Sequence, residues 1–249
     1  DDPADAAGAY RILVENLTWI DPDEAERLLA SGEEWTTPLA SGADAYIREE
    51  RGMLMLARHE YDRAVALLSG ARVDGLGTAL DRPDIRGPRT FLVVAHLLRG
   101  DAPAAATALD HTLVRQHMSG WPSYIVSYLR ALIAAVRGDL SVARAQIAEA
   151  VAVVRHWKIP LGLADCVVGC AVIAFHSGDL PRAAELFGAV YAATGGGLRT
   201  PMSMAVYRHY VRAVHAKLDR EARAHARAAG AELSLEAALD RELGTSLGR

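Results

Sequence analysis

From Tyr61 to Ala71 the apolar residues Ala64, Val65, Leu67 and Leu68 fall at the spacing of one helix face, and this rhythm recurs along the chain. It predicts helices over about 3–20, 22 onward, 38–57 and 61–71, then 89–99 and 102–118, 122–137 and 140–157, 161–177 and 180–193. A long helix is expected from Pro201 to Lys217, its continuation to Ala229 left open by the pattern, with a short last one after the cap Ser234. Asp2-Pro3, Asp21-Pro22 and Thr37-Pro38 read as helix starts, with a capping side chain followed by proline at the first helical position. No stretch reads as a strand. The expected class is all-α.

Residues 72–88 break the rhythm with Asp74-Gly75, Gly77, Pro83, Gly87 and Pro88, an irregular connection inside a regular array. This segment is the expected mobile element. Gly195-Gly196-Gly197 ends the second regular run.

Three turns repeat: Arg99-Gly100-Asp101, Arg137-Gly138-Asp139 and Ser177-Gly178-Asp179, with Ala105, Ala143 and Ala183 five residues after each glycine. The glycines are 38 and 40 residues apart, and a weaker copy, Arg58-His59-Glu60 with Ala64, lies 41 residues upstream of the first. Glycine tolerates the left-handed conformation that ends one helix, and aspartate can cap the next. Four residues beyond each alanine, on the same face, stand Leu68, Leu109, Ile147 and Phe187. The first helices carry Gly52, Val93, Ala131 and Ala171 at the position where the two helices of a pair would cross.

This small–large–small pattern over about residues 40–195 resembles the tetratricopeptide repeat, although its period exceeds the usual length and the large first-helix aromatic is absent. The resemblance implies an α-solenoid, in which each helix pair buries its apolar face on its neighbour. It implies one helical-repeat domain over 1–249: amino-terminal helices to 58, core repeats over 59–195, and capping helices over 196–249. It also implies that the first helices line a concave face, with Tyr46, Met53, Val94, Leu97, Tyr128, Leu132, Val168 and Val172 upon it. That apolar lining could be filled by the chain's own helices, by a partner helix or by a hydrophobic small molecule, and sequence does not separate the three.

Two further segments carry a second likeness. Asp179-Leu180-Pro181-Arg182-Ala183-Ala184-Glu185-Leu186-Phe187-Gly188-Ala189, and the run from Ala226 through Gly230 to Ala238, are similar to segments closing the large ATPase-linked LuxR-type and antibiotic-regulatory transcription regulators of high-GC bacteria. The resemblance implies the sensor and interaction region of such a regulator, and the acidic start without methionine suggests a piece of a longer protein. The implied partners are the parent protein's other domains or a separate protein, with a homo-oligomer also open. No Gly-x-x-x-x-Gly-Lys loop and no helix-turn-helix occurs, so neither ATP hydrolysis nor DNA binding is assigned to these residues.

Composition supports a packed helical protein: 51% of the 249 residues are apolar, 23% are charged and only 6% aromatic. A net charge of −4 argues against general attraction to nucleic acid. The charge is uneven, with thirteen Asp and Glu against three Arg in residues 1–50. In 201–230, six Arg and Lys face two acids. Arg208, Arg212, Lys217, Arg220, Arg223 and Arg227 step by three to five, which would place much of this basic stripe along one side of a helix. The acidic amino-terminal third is a candidate counterpart for it within the chain.

Candidate chemistry is thin. Cys166 and Cys170, four apart on one helix face, are half a metal site at most and read better as small buried hydrophobes. Two cysteines make no disulfide framework, which points to a reducing, cytoplasmic setting. The apolar stretch Leu161 to Phe175 contains Asp165 and is too short to span a bilayer, so no membrane partner is expected. No nucleophile elbow or His-Glu-x-x-His run appears. The expectation is a binding module with no cofactor, metal or catalysis; a self-associating adaptor is the alternative, with a helical enzyme and a direct DNA binder, acting through residues 208–227, ranked below it.

Overall fold

The computed structural model describes residues 3–36, 43–70, 88–114, 123–196 and 200–244. Among them all regular structure is helical, in thirteen helices with no strand. The chain divides into two compact units, Asp1–Arg99 and Gly100–Arg249. The boundary falls at the Arg99-Gly100 turn, inside the segment assigned to core repeats from sequence.

The first unit contains α1 (Pro3–Ile20), α2 (Pro22–Thr36), α3 (Ala43–Ala57), α4 (Tyr61–Ser69) and α5 (Pro88–Leu98). Its helices pack in chain order: α1 on α2 and α3, α2 on α3, then α3 on α4 and α5, and α4 on α5. Gly52 is where the crossing requires it. A Cβ there would stand 2.6 Å from the Leu68 side chain, so any larger residue would push α3 off α4. The irregular 72–88 segment lies outside the described residues except for Pro88, which begins α5.

The second unit contains α6 (Ala102–Val114), α7 (Ser123–Arg137), α8 (Leu140–His156), α9 (Pro160–His176), α10 (Leu180–Thr194), α11 (Pro201–Lys217), α12 (Arg220–Ala231) and α13 (Leu235–Leu243). The order of packing repeats: α6 on α7, α7 on α8 and α9, α8 on α9, α9 on α10 and α11, and α10 on α11. Two helices depart from it. The last two turn back, α12 lying along α10 and α13 resting on α8, α9 and α10.

The repeated turns have one geometry. Gly100, Gly138 and Gly178 have φ of 87°, 85° and 85°, and His59, in the weaker copy, takes φ 63° without being glycine. Asp139 N donates to Ala134 O and Gly138 N to Ala135 O, the paired bonds that close a helix end on a left-handed residue; Glu60 N to Met55 O and His59 N to Leu56 O repeat them. The carboxylates of Asp101 and Asp179 accept from Ala104 N and Arg182 N, at 3.0 and 3.1 Å, while Asp139 and Glu60 make no such cap. All four alanines after the turns are fully buried.

The helix expected from Pro201 to Lys217 is α11 with those bounds, and it does not continue to Ala229. Leu218 is extended at φ −102° and ψ 143°, and the Asp219 side chain accepts from Ala222 N at 2.8 Å to start α12 afresh. Ser234 caps α13 through Ala237 N at 3.1 Å, as its sequence predicts.

Candidate functional site

The residues expected to line an open apolar face are core residues. Met53, Val94, Leu97, Tyr128, Leu132, Val168 and Val172 are each no more than 4% exposed. The Tyr46 side chain lies outside the described residues. In the second unit the reason is close helix approach. A Cβ on Gly169 would overlap Ile147 and stand 3.4 Å from Tyr128, so α9 sits tight against both α7 and α8. Of the three fillings the sequence left open, the chain's own packing occupies these positions. They offer no ready apolar seat for a ligand.

What sequence reasoning missed is a polar group buried within the same helices. Asp165, fully buried on α9, accepts from Tyr124 Oη of α7 at 3.3 Å and from Thr200 Oγ1 at 3.2 Å, both on Oδ2. Thr200 Oγ1 in turn accepts from Ser203 N at 3.3 Å, so the hydroxyl that holds Asp165 also caps α11. The hydroxyls of Tyr128 and Ser203 are also fully buried, without a hydrogen bond to Asp165, Tyr124 or Thr200. Burial, and after it the charge of Asp165, pushes the Tyr128 hydroxyl well above its ordinary pKa. The Cys166 thiol moves the same way for the same two causes. The signal was an acid inside the most apolar stretch. A buried carboxylate requires hydrogen-bond donors, and its partners lie 41 and 35 residues away. Chemically this arrangement joins α7, α9 and the start of α11.

A second polar system ties α13 to the helices beneath it. Arg155 of α8 reaches Glu236 at 2.6 Å and Asp240 at 2.7 Å. Arg182 of α10 reaches Glu185 and Glu242, each at 2.6 Å, and Arg241 joins Glu185 at 3.1 Å. A cavity of about 300 Å³ opens beside this network, bordered by Arg144, Ser177, Asp179, Arg182, Arg241 and Glu242. A second, of about 470 Å³, lies among α6, α7 and α8, where Asp110, Arg130, Arg137 and Asp139 surround Leu109 and Ile133. Both are walled by mixed charges, which suits polar surface contacts better than a hydrophobic effector.

The basic stripe is divided by the break at Leu218-Asp219. Arg208 and Arg212 belong to α11, Arg208 half-buried with its pKa lowered by burial. Arg220, Arg223 and Arg227 share one side of α12. The two runs meet at His215, whose pKa is lowered by burial first and then by the charges of Arg223 and Arg227. Arg227 also stands over the Tyr191 ring, 4.6 Å from its centre. Nearby on α9, His176 Nε2 pairs with Tyr210 Oη at 2.8 Å, and Lys217 Nζ lies 4.7 Å above the Phe175 ring.

Cys166 and Cys170 are buried free thiols, and among the described residues no three His, Cys, Asp or Glu gather into a potential metal site. Among those residues no helix is long and apolar enough to cross a membrane. Among the described residues all regular structure is helical, in two compact units. Comparison with protein-family models, characterised proteins and solved structures found no match.

Proposed function

We propose that this chain is a tetratricopeptide-like interaction region of a bacterial transcription regulator, working in the cytoplasm as a docking scaffold with no catalysis of its own. One observation carries the reading. In each unit a first helix packs on its own partner and on the next first helix, the neighbour order of stacked helical hairpins. The contact between the two segments resembling the closing region of such regulators adds support. α10 and α12 meet at Gly188 and Gly230, the glycines within those segments.

Because the apolar lining is occupied by the chain's own packing, the docking surface is charged: the cavity among α6, α7 and α8 and the basic edge of α11 and α12. The partner is a polar protein surface, belonging to another domain of the regulator or to a separate protein. Coupling would run through the Asp165 group, since a partner that shifts α11 must alter the bond from Thr200 to the carboxylate oxygen that Tyr124 shares.

The test is the protein that surrounds these residues in its genome. A nucleotide-binding loop or DNA-binding helix pair in the same polypeptide, and capture of that domain by the purified chain, is the expected result. A polypeptide with neither, or a purified chain that turns over a substrate, would contradict the reading.

A further inference from the structure

The first two helices and the pair α11 and α12 carry opposite charge. Over Pro3–Thr36 there are eight Asp and Glu against two arginines, and over 201–231 six Arg and Lys against two acids. Apolar surface is also exposed within each charged setting. On α1, Leu13 and Ile20 are 49% and 78% exposed and, seven residues apart, share one face. Asp21 and Asp23 follow directly, both exposed. Arg58 pairs with Asp23 and Glu26 at 2.6 Å and Arg27 pairs with Glu24, and together they offset only part of this charge. At the basic pair Tyr191 is 43% exposed beneath Arg227, with Arg220 and Arg223 along the same side of α12.

We propose that the acidic, apolar face of α1 and α2 docks on the basic face of α12 in a second copy of this chain. The two faces differ, so the contact is head-to-tail, and repeating it builds a chain of copies unless the rotation closes a ring. Opposite charge selects this pairing over like faces, because basic on basic and acidic on acidic are repelled. Leu13 and Ile20 supply the apolar centre that charge alone lacks. The inference stands apart from the transcriptional reading and would survive its failure.

The test is light scattering on the full chain across a concentration series at about 0.05 M and about 0.5 M salt, which brackets strong and weak screening. Mass rising with concentration, and falling back at high salt, is expected. Two reversed chains then separate the faces: Arg220→Glu with Arg227→Glu, and Asp23→Lys with Glu24→Lys. Each alone should stay monomeric, and an equimolar mixture should associate again, since each retains the face that the other lost. Ile20→Ser, at an exposed position without risk to the fold, should weaken association about tenfold. Circular dichroism checks that every variant is folded. A wild-type chain monomeric to about 100 μM, a reversed chain that still self-associates, or a mixture that restores nothing would overturn the proposal. So would a salt-sensitive change in size that does not depend on concentration, which would place the contact within one chain.

Discussion

The carbonyl oxygen of Glu185 occupies the space where Gly230 would carry a side chain. An ideal Cβ on Gly230 would overlap that oxygen and stand 2.8 Å from Ala189 N, while one on Gly188 would stand 3.1 Å from Arg227 Cα. Here α10 and α12 touch backbone to backbone, which is why α12 can lie along α10 despite a sequence rich in arginine and alanine. Gly230→Ala must push the helices apart and is expected to cost about 1–3 kcal/mol in urea unfolding. Ala224→Ser, on the exposed side of α12, should stay within about 0.5 kcal/mol of the parent.

Lys158 sits at φ 51° between α8 and α9, in the conformation that Gly138 and Gly178 adopt in the repeated turns. It is exposed, and its turn closes with Ile159 N donating to Val154 O at 3.0 Å. Lys158→Gly should therefore raise stability by about 0.5–1 kcal/mol, and Gly178→Ala should lower it by about 1 kcal/mol. Paired thermal melts read both. Equal destabilisation by the two changes would mean that backbone conformation is not what selects the residue at these turns.

Asp165 is the acceptor for two buried or half-buried hydroxyls. Asp165→Ala removes the shared acceptor of Tyr124 and Thr200 and should cost about 2–4 kcal/mol. Asp165→Asn keeps an acceptor oxygen at the same place and should cost less than half of that. Thr200→Val combined with Asp165→Ala should cost less than the sum of the two, because the same bond is lost twice. Additive losses in denaturant unfolding would show that the bond carries no energy.

Burial, and after it the charge of Lys217, lowers the pKa of His176. A histidine whose folded pKa is depressed favours the neutral ring. Its contribution is fully present above the unfolded value of about 6.5 and is lost as pH falls toward the folded value. His215 shifts in the same direction. Stability should therefore decline as pH drops below about 6.5, and His176→Gln should flatten part of that decline. Urea midpoints measured across this range test it; a midpoint that rises on acidification would have the wrong sign.

Much of the helix order was legible because capping residues, prolines and 3.6-residue periodicity are local signals. The turns at Gly138 and Gly178 fall where glycine announced them, and aligning those turns placed Gly52 at the helix crossing, where the structure sets it against Leu68. The Lys158 turn was not legible, since nothing local marks a lysine as left-handed. The break at Leu218 was undecided, because Asp219 reads equally well as one more polar residue on a continuing helix. The buried status of Tyr128 and Val168 depends on how closely α7 and α9 approach, and a single hairpin's pattern does not encode that distance. The Asp165 group was hidden for a related reason, its donors coming from two other stretches of chain.

The central claim is that each helix is stabilised by its neighbours in the series, and hydrogen exchange on an Ile147→Ala chain tests it most directly. Ile147 is fully buried on α8 against Gly169 of α9. Removing its side chain should speed exchange in α7, α8 and α9 and leave α12 close to its parent rate. Equal acceleration across every helix of the second unit would point to one undivided core and contradict the account.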